Sequence, residues 1–220
     1  NRTKPIENYD PDSIEELIDA NTKIMNFGFS FLVLITPINE VVIVTDENYE
    51  VRTCEAEHSV PTFSFLLEEK EKPGTFYPEK AISLDVPKGE LWHKLQQGEE
   101  IVVDGKSIKP SEVMGPNVPG KKIGISGDTR PTKKLEAFFK NCDYLVFDST
   151  FSDELKEKAI QSLHSTAKEA ATCAKNSNVS NLILTHFSAR YKDENVLLDE
   201  AKTVHSSVIA AHDQLKIDII

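Results

Sequence analysis

The run NLILTHFSARYK occupies residues 181–192. Residues 182–185, three of them apolar and the last a threonine, read as a short buried strand. The apolar run stops at His186, and a polar turn follows through Phe187, Ser188, Ala189 and Arg190. Taken alone, a histidine in such a place is usually a core-edge residue. Its surroundings give it more weight. Residues 121–125 read as a strand, and 132–140 as a helix with Leu135, Phe138 and Phe139 on one face. Residues 144–147 read as another strand, with helical sequence from Ser152. After 182–185 comes a helix carrying Val196, Leu197, Ala201 and Val204, then a closing strand at 207–211. Strands alternating with helices predict an α/β layer architecture. In such sheets, chemistry gathers beyond the carboxyl ends of the strands.

Each late strand runs into a polar residue suited to that chemistry. The first leads to Asp128 in SGDTRP, the second to Asp148 in DSTF, the third to His186. Between the last two lies LHSTAKEAA. There Thr166 and Glu169 have capping-box spacing and open a helix with an alanine face. His164 stands just ahead of that N-terminus, where phosphate is favoured. Upstream, AEHSVP places His58 at another strand end. Carboxylates with imidazoles form the ligand set of a hydrolytic zinc site. His93, His205 and His212 read as structural or solvated.

The rest of the chain is organised differently. Asp12 and Ser13 read as the cap of a helix with Ile14, Leu17, Ile18 and Met25 on one face. Residues 29–35 and 41–45, separated by Pro37 and Asn39, predict a hairpin. Residues 51–57 and 63–67 read as strands around EHSVP. From 68 to 119, prolines and glycines punctuate the sequence. This predicts a loop-rich arm at about 70–119, with short pieces such as LWHKLQQG and EEIVVDGKSI between the breaks.

Composition sets limits. An apolar share of 39% and a charged share of 28% suit a soluble globular protein. No apolar run approaches a membrane span, and no secretory signal pattern opens the chain. The three cysteines, Cys54, Cys142 and Cys173, lack C-x-x-C spacing and read as reduced thiols in a cytoplasmic protein. A net charge of −11 alone argues against a nucleic-acid partner, although a local basic face can sit on an acidic body.

GDTRP, LHSTAKEAA and LILTHFSARYKDE, taken together, resemble the C-terminal motifs of ribonuclease Z, a tRNA 3′-processing endonuclease of the metallo-β-lactamase superfamily. AEHSVPTFSFLLEE is similar to that family's third motif, and the segment around VPKGELWHKLQQG to the stretch that follows it. The resemblance implies a metallo-β-lactamase-like αβ/βα sandwich, incomplete in its N-terminal half, as one partial domain over 1–220. It implies that His58 ligates one zinc, Asp128 bridges two and His186 ligates the second. His164 would contact the scissile phosphate or protonate the leaving oxygen. Asp148 would stand where the family has a glutamate, and Arg190 would lie near the phosphate.

The implied substrate is a tRNA precursor. Two departures bear on activity. The family's HxHxDH motif would precede Asn1 and is not among the 220 residues, so His58, Asp128 and His186 complete neither metal site. Zero or one zinc is therefore expected here, against two in the family, and this chain alone is expected to be inactive. Gly89-Glu90 also replaces the Gly-Pro pair of the tRNA-clamping arm. The alternative is a degenerate, non-catalytic paralogue that dimerises or binds RNA or protein. A half-covered sheet predicts a homodimer.

Overall fold

The computed structural model describes residues 2–11, 14–38 and 41–219. Asp12, Ser13 and Asn39, named above as cap and turn residues, lie outside them. The chain divides into two compact units, one formed by 1–68 with 121–220 and the other by 69–120.

The first unit opens with β1 (Ile6–Asp10), α1 (Ile14–Met25) and β2 (Val33–Pro37). Strands β1 and β2 pair in parallel, from Ile6 with Val33 to Asp10 with Pro37. Glu15 and Glu16 in the first turn of α1 and Lys23 in its last suit the helix dipole. None of its described residues is buried, and Leu17, Ile24 and Met25 are exposed. Next come β3 (Val42–Thr45), β4 (Tyr49–Glu55) and β5 (Phe63–Glu69). The predicted 29–35/41–45 hairpin does not form. Instead β3 pairs antiparallel with β4, and β2 takes β1 as its partner. Pro37 and its neighbours look like a turn, but strand pairing is non-local. IENYD has too few apolar residues to announce β1 in advance.

The second unit contains α2 (Pro78–Ser83), α3 (Glu90–Gln96), β6 (Ile101–Val103), β7 (Lys106–Ile108) and α4 (Pro110–Val113). It is built around its own core of Ala81, Val86, Leu95, Ile101, Ile108 and Val113. The Trp92 indole N–H donates to the Val86 carbonyl at 3.0 Å. The residues read as loop punctuation do local work. Pro78 and Pro110 open helices, as the fixed φ of proline allows. Asp104 and Gly105, at φ 48° and 79°, form the two-residue turn between β6 and β7. The segment folds around this small core, with α3 in LWHKLQQG and β6 and β7 in EEIVVDGKSI.

The remainder of the first unit alternates as the sequence predicts. It holds β8 (Lys122–Ile125), α5 (Lys133–Phe138), β9 (Tyr144–Asp148), α6 (Lys156–Ser162), α7 (Ala167–Asn176), β10 (Asn181–Thr185), α8 (Asn195–Lys202) and β11 (Val208–Ala210). The main sheet has the order β11-β10-β9-β8-β5-β4-β3. Neighbours among β8 to β11 are parallel, and β5 runs antiparallel to β8. Its core joins Leu135, Phe139, Leu145, Phe147, Leu182 and Leu184 to the alanine face of α7. Small side chains there let the helix lie close to β9 and β10. Each fully buried leucine or phenylalanine contributes about 1.5–3 kcal/mol. Among the described residues, no helix is long and apolar enough to cross a membrane.

Candidate active site

Parallel neighbours end on the same rim, so β8, β9 and β10 deliver their following residues to one place. Asp128 follows β8, Asp148 ends β9 and His186 follows β10. His164 arrives from the other layer, between α6 and the capping box of α7. One ligand atom from each of these four residues lies within 4.8 Å of the others. His186 Nε2 is 3.5 Å from Asp128 Oδ2, with the two side chains 46% and 40% exposed. The predicted rim therefore exists, and it opens to solvent on the Asp128 side.

Asp148 is the closed end. It is 0% exposed, and both its oxygens are occupied. Oδ2 accepts from the Thr129 amide at 3.0 Å and from His164 Nδ1 at 2.8 Å. Oδ1 accepts from the Thr150 amide at 3.0 Å and the Thr150 hydroxyl at 2.6 Å. A buried carboxylate is costly unless such donors surround it. Its geometry is that of an orienting group, and the shorter side chain still reaches the imidazole.

His58 lies beside this cluster. Its ring centroid is 4.9 Å from that of His164, and its Nδ1 donates to the Leu163 carbonyl at 3.0 Å. His164 in turn stacks on His186, with centroids 5.0 Å apart and planes 25° from parallel. Arg190 is exposed. Its guanidinium lies 5.0 Å from the Phe151 ring centroid and donates to Ser188 Oγ, and Phe151 meets the His164 ring edge-on. His93, His205 and His212 stay outside the site, on Gln97, Val179 and Asp213 respectively.

Arg130, which the sequence did not single out, holds this arrangement together with Glu169. Arg130 makes a two-pronged pair with Glu169, at 2.8 and 2.5 Å, and also donates to the His164 carbonyl at 2.5 Å. Its amide donates to the Glu57 carbonyl, next to His58. Burial pushes the Glu169 carboxyl up. The hydrogen bonds from Arg130 and Thr166 and the charges of Arg130 and Lys156 outweigh this and hold it below the usual carboxylate range. The signal was present in sequence as the arginine of GDTRP and the glutamate of the capping box, but nothing there pairs them.

The donor set suits a divalent metal with nitrogen and oxygen ligands. His58 and His164 each use Nδ1 as a donor, on a carbonyl and a carboxylate, which leaves each Nε2 with a lone pair. Asp128 presents a carboxylate to His186 Nε2 across a gap wider than a hydrogen bond. Imidazole and carboxylate are zinc ligands.

No family model matches the chain. Curated relatives do. Ribonuclease Z of Nitrosopumilus maritimus is 59% identical over 219 residues, covering 100% of this chain and 73% of that protein. Ribonuclease Z of Methanosarcina acetivorans is 38% identical over 99% of this chain and 72% of its own length. Among solved structures, human tRNase Z, short form, superposes with a TM-score of 0.64 at 21% identity, over 100% of this chain and 70% of that one. The metallo-β-lactamase fold protein YhfI of Bacillus subtilis gives 0.59 at 15% identity, over 94% of this chain and 62% of that one. The architecture is thus the metallo-β-lactamase fold, and by identity and span the chain belongs to the ribonuclease Z family.

Proposed function

We infer that the chain carries part of the site of a zinc-dependent endoribonuclease that removes the 3′ trailer of tRNA precursors. The observation that supports this is the convergence of Asp128, His186 and the Asp148–His164 pair on one rim. In this reading Asp128 and His186 would hold zinc, and His58, outside that four-residue cluster but beside His164, would offer Nε2 to a second ion. A bound zinc would supply Lewis-acid polarisation of a phosphoryl oxygen. His164, once Nε2 has taken up a proton from solvent, would pass that proton to the leaving oxygen, while Asp148 at Nδ1 keeps the ring aligned and steadies its positive charge. Arg190 offers an exposed guanidinium to the phosphate. This local chemistry is how an acidic chain can take a polyanionic substrate.

The 220 residues hold no HxHxDH run. From these residues alone we expect at most one bound zinc and little cleavage. The test is zinc titration of the purified chain, beside gel-resolved cleavage of a tRNA precursor. One equivalent of zinc that is lost in His186→Ala and Asp128→Asn supports the reading. Robust cleavage by the chain would overturn the expected inactivity, and binding of neither zinc nor tRNA precursor would overturn the enzyme reading itself.

A further inference from the structure

Thr150 is buried, and neither its amide, its hydroxyl nor its carbonyl is idle. Its hydroxyl lies 2.6 Å from Asp148 Oδ1 and 2.8 Å from His186 Nδ1. A threonine hydroxyl has one proton to give. Asp148 can only accept, and its other contacts are all donors, so the proton goes to Oδ1. The hydroxyl oxygen must then accept from His186, which places a proton on Nδ1. The unprotonated nitrogen is Nε2, the one that faces Asp128 at 3.5 Å. The Thr150 carbonyl also accepts from the Ser188 amide at 3.1 Å, gripping the turn just past His186. His186 itself has a φ of +61°, a left-handed conformation that surrounding contacts must enforce.

We propose that Thr150 is a positioning residue that fixes the tautomer and pose of His186, so that one buried carboxylate governs both imidazoles. Asp148 acts on His164 directly and on His186 through the threonine hydroxyl. The pair is thereby set in matching form, Nδ1–H inward and Nε2 lone pair outward. The inference rests on the metal-site reading for its purpose, but the tautomer follows from the hydrogen bonds alone. It also accounts for the short interval between Asp148 and Thr150, because one residue must reach the carboxylate from both its amide and its hydroxyl.

Nitrogen-15 NMR of the histidine rings tests this without any activity, at about pH 8, where a free imidazole is neutral. Metal-free wild-type chain should show His186 as the Nδ1–H tautomer. Thr150→Val removes only the hydroxyl and should let His186 move toward Nε2–H, while Thr150→Ser should retain the wild-type form. Wild-type chain with His186 as Nε2–H would overturn the proposal outright, with no variant needed, and so would a Thr150→Val spectrum identical to wild type. With zinc as the probe, Thr150→Val should bind about 10- to 100-fold more weakly, the usual loss for an outer partner of a metal-binding histidine. Equal zinc affinity in all three proteins would overturn the role toward the metal. A tautomer that moves in chains that bind no zinc at all would uphold the relay and sink the metal-site reading instead.

Discussion

Replacing Arg130 by methionine keeps most of the aliphatic stem and removes the guanidinium. Three hydrogen bonds go with it, two to Glu169 and one to the His164 carbonyl. The two side chains are only 13% and 15% exposed, so water replaces little of what is lost. Breaking a buried pair by removing one partner costs about 3–5 kcal/mol. Here Glu169 keeps the Thr166 amide and has Lys156 at 4.0 Å, which argues for the lower end. A loss of about 3 kcal/mol corresponds to a fall in Tm of roughly 6–12 °C for a chain of this size. The pH dependence has a definite sign. Glu169 is held below its ordinary value of 4.5, so the stability from its ionised form is complete above that pH. It is lost as the pH falls through the folded-state value, and the penalty for Arg130→Met should shrink with it. Urea denaturation at neutral and acid pH, with Glu169→Leu and the double variant, gives the coupling directly. Exposed Lys133, paired with Glu136, serves as control and should cost under about 0.5 kcal/mol. Coupling below about 0.5 kcal/mol, or a penalty that ignores pH, would refute the reasoning.

Gly124→Ala should destabilise by about 1–3 kcal/mol through overpacking. The added methyl would sit 2.5 Å from the Phe139 ring and 2.9 Å from Leu145, and thermal melts check it. Burial pushes the Cys142 and Cys173 thiols up to about 12, so alkylation of folded chain should mark Cys54 and spare those two until denaturant is added. Mass spectrometry reads the result, and rapid labelling of Cys173 in native buffer would contradict it. Ile24, Met25, Phe27, Phe29 and Leu32 are all exposed, so the isolated 220-residue chain should self-associate, as a homodimer. Sedimentation showing a folded monomer at micromolar concentration would reject that expectation.

Much of the site was legible because its residues sit at the ends of strongly patterned strands. LILT and YLVF are apolar, lie between helical segments and leave little choice of element, so Asp148 and His186 are placed as soon as the strands are. The capping box at Thr166 and Glu169 is equally local, and both its hydrogen bonds form. Long-range pairings were not legible. Nothing in GDTRP says that its arginine meets a glutamate 39 residues on, and nothing in DSTF says that the threonine hydroxyl lies between two site residues. A threonine beside an aspartate is common in any turn. The N-terminal third misled for the same reason, since the partner of β2 is chosen by geometry across α1 and not by the nearest apolar run.

The antiparallel pairing of β5 with β8 has a consequence for modularity. Glu68 faces Lys122 across the ladder, so the chain leaves the sheet and re-enters it at adjoining points. Topologically the segment between them is the loop of a hairpin, long enough to hold a core of its own. Closing a loop of about 50 residues rather than about 4 costs only roughly 2 kcal/mol. On that cost alone the stem should tolerate inserts of very different length. Splicing a short turn between Glu68 and Lys122 should leave the seven-stranded sheet and its rim of acids and imidazoles folded. The excised piece could be exchanged like a cassette.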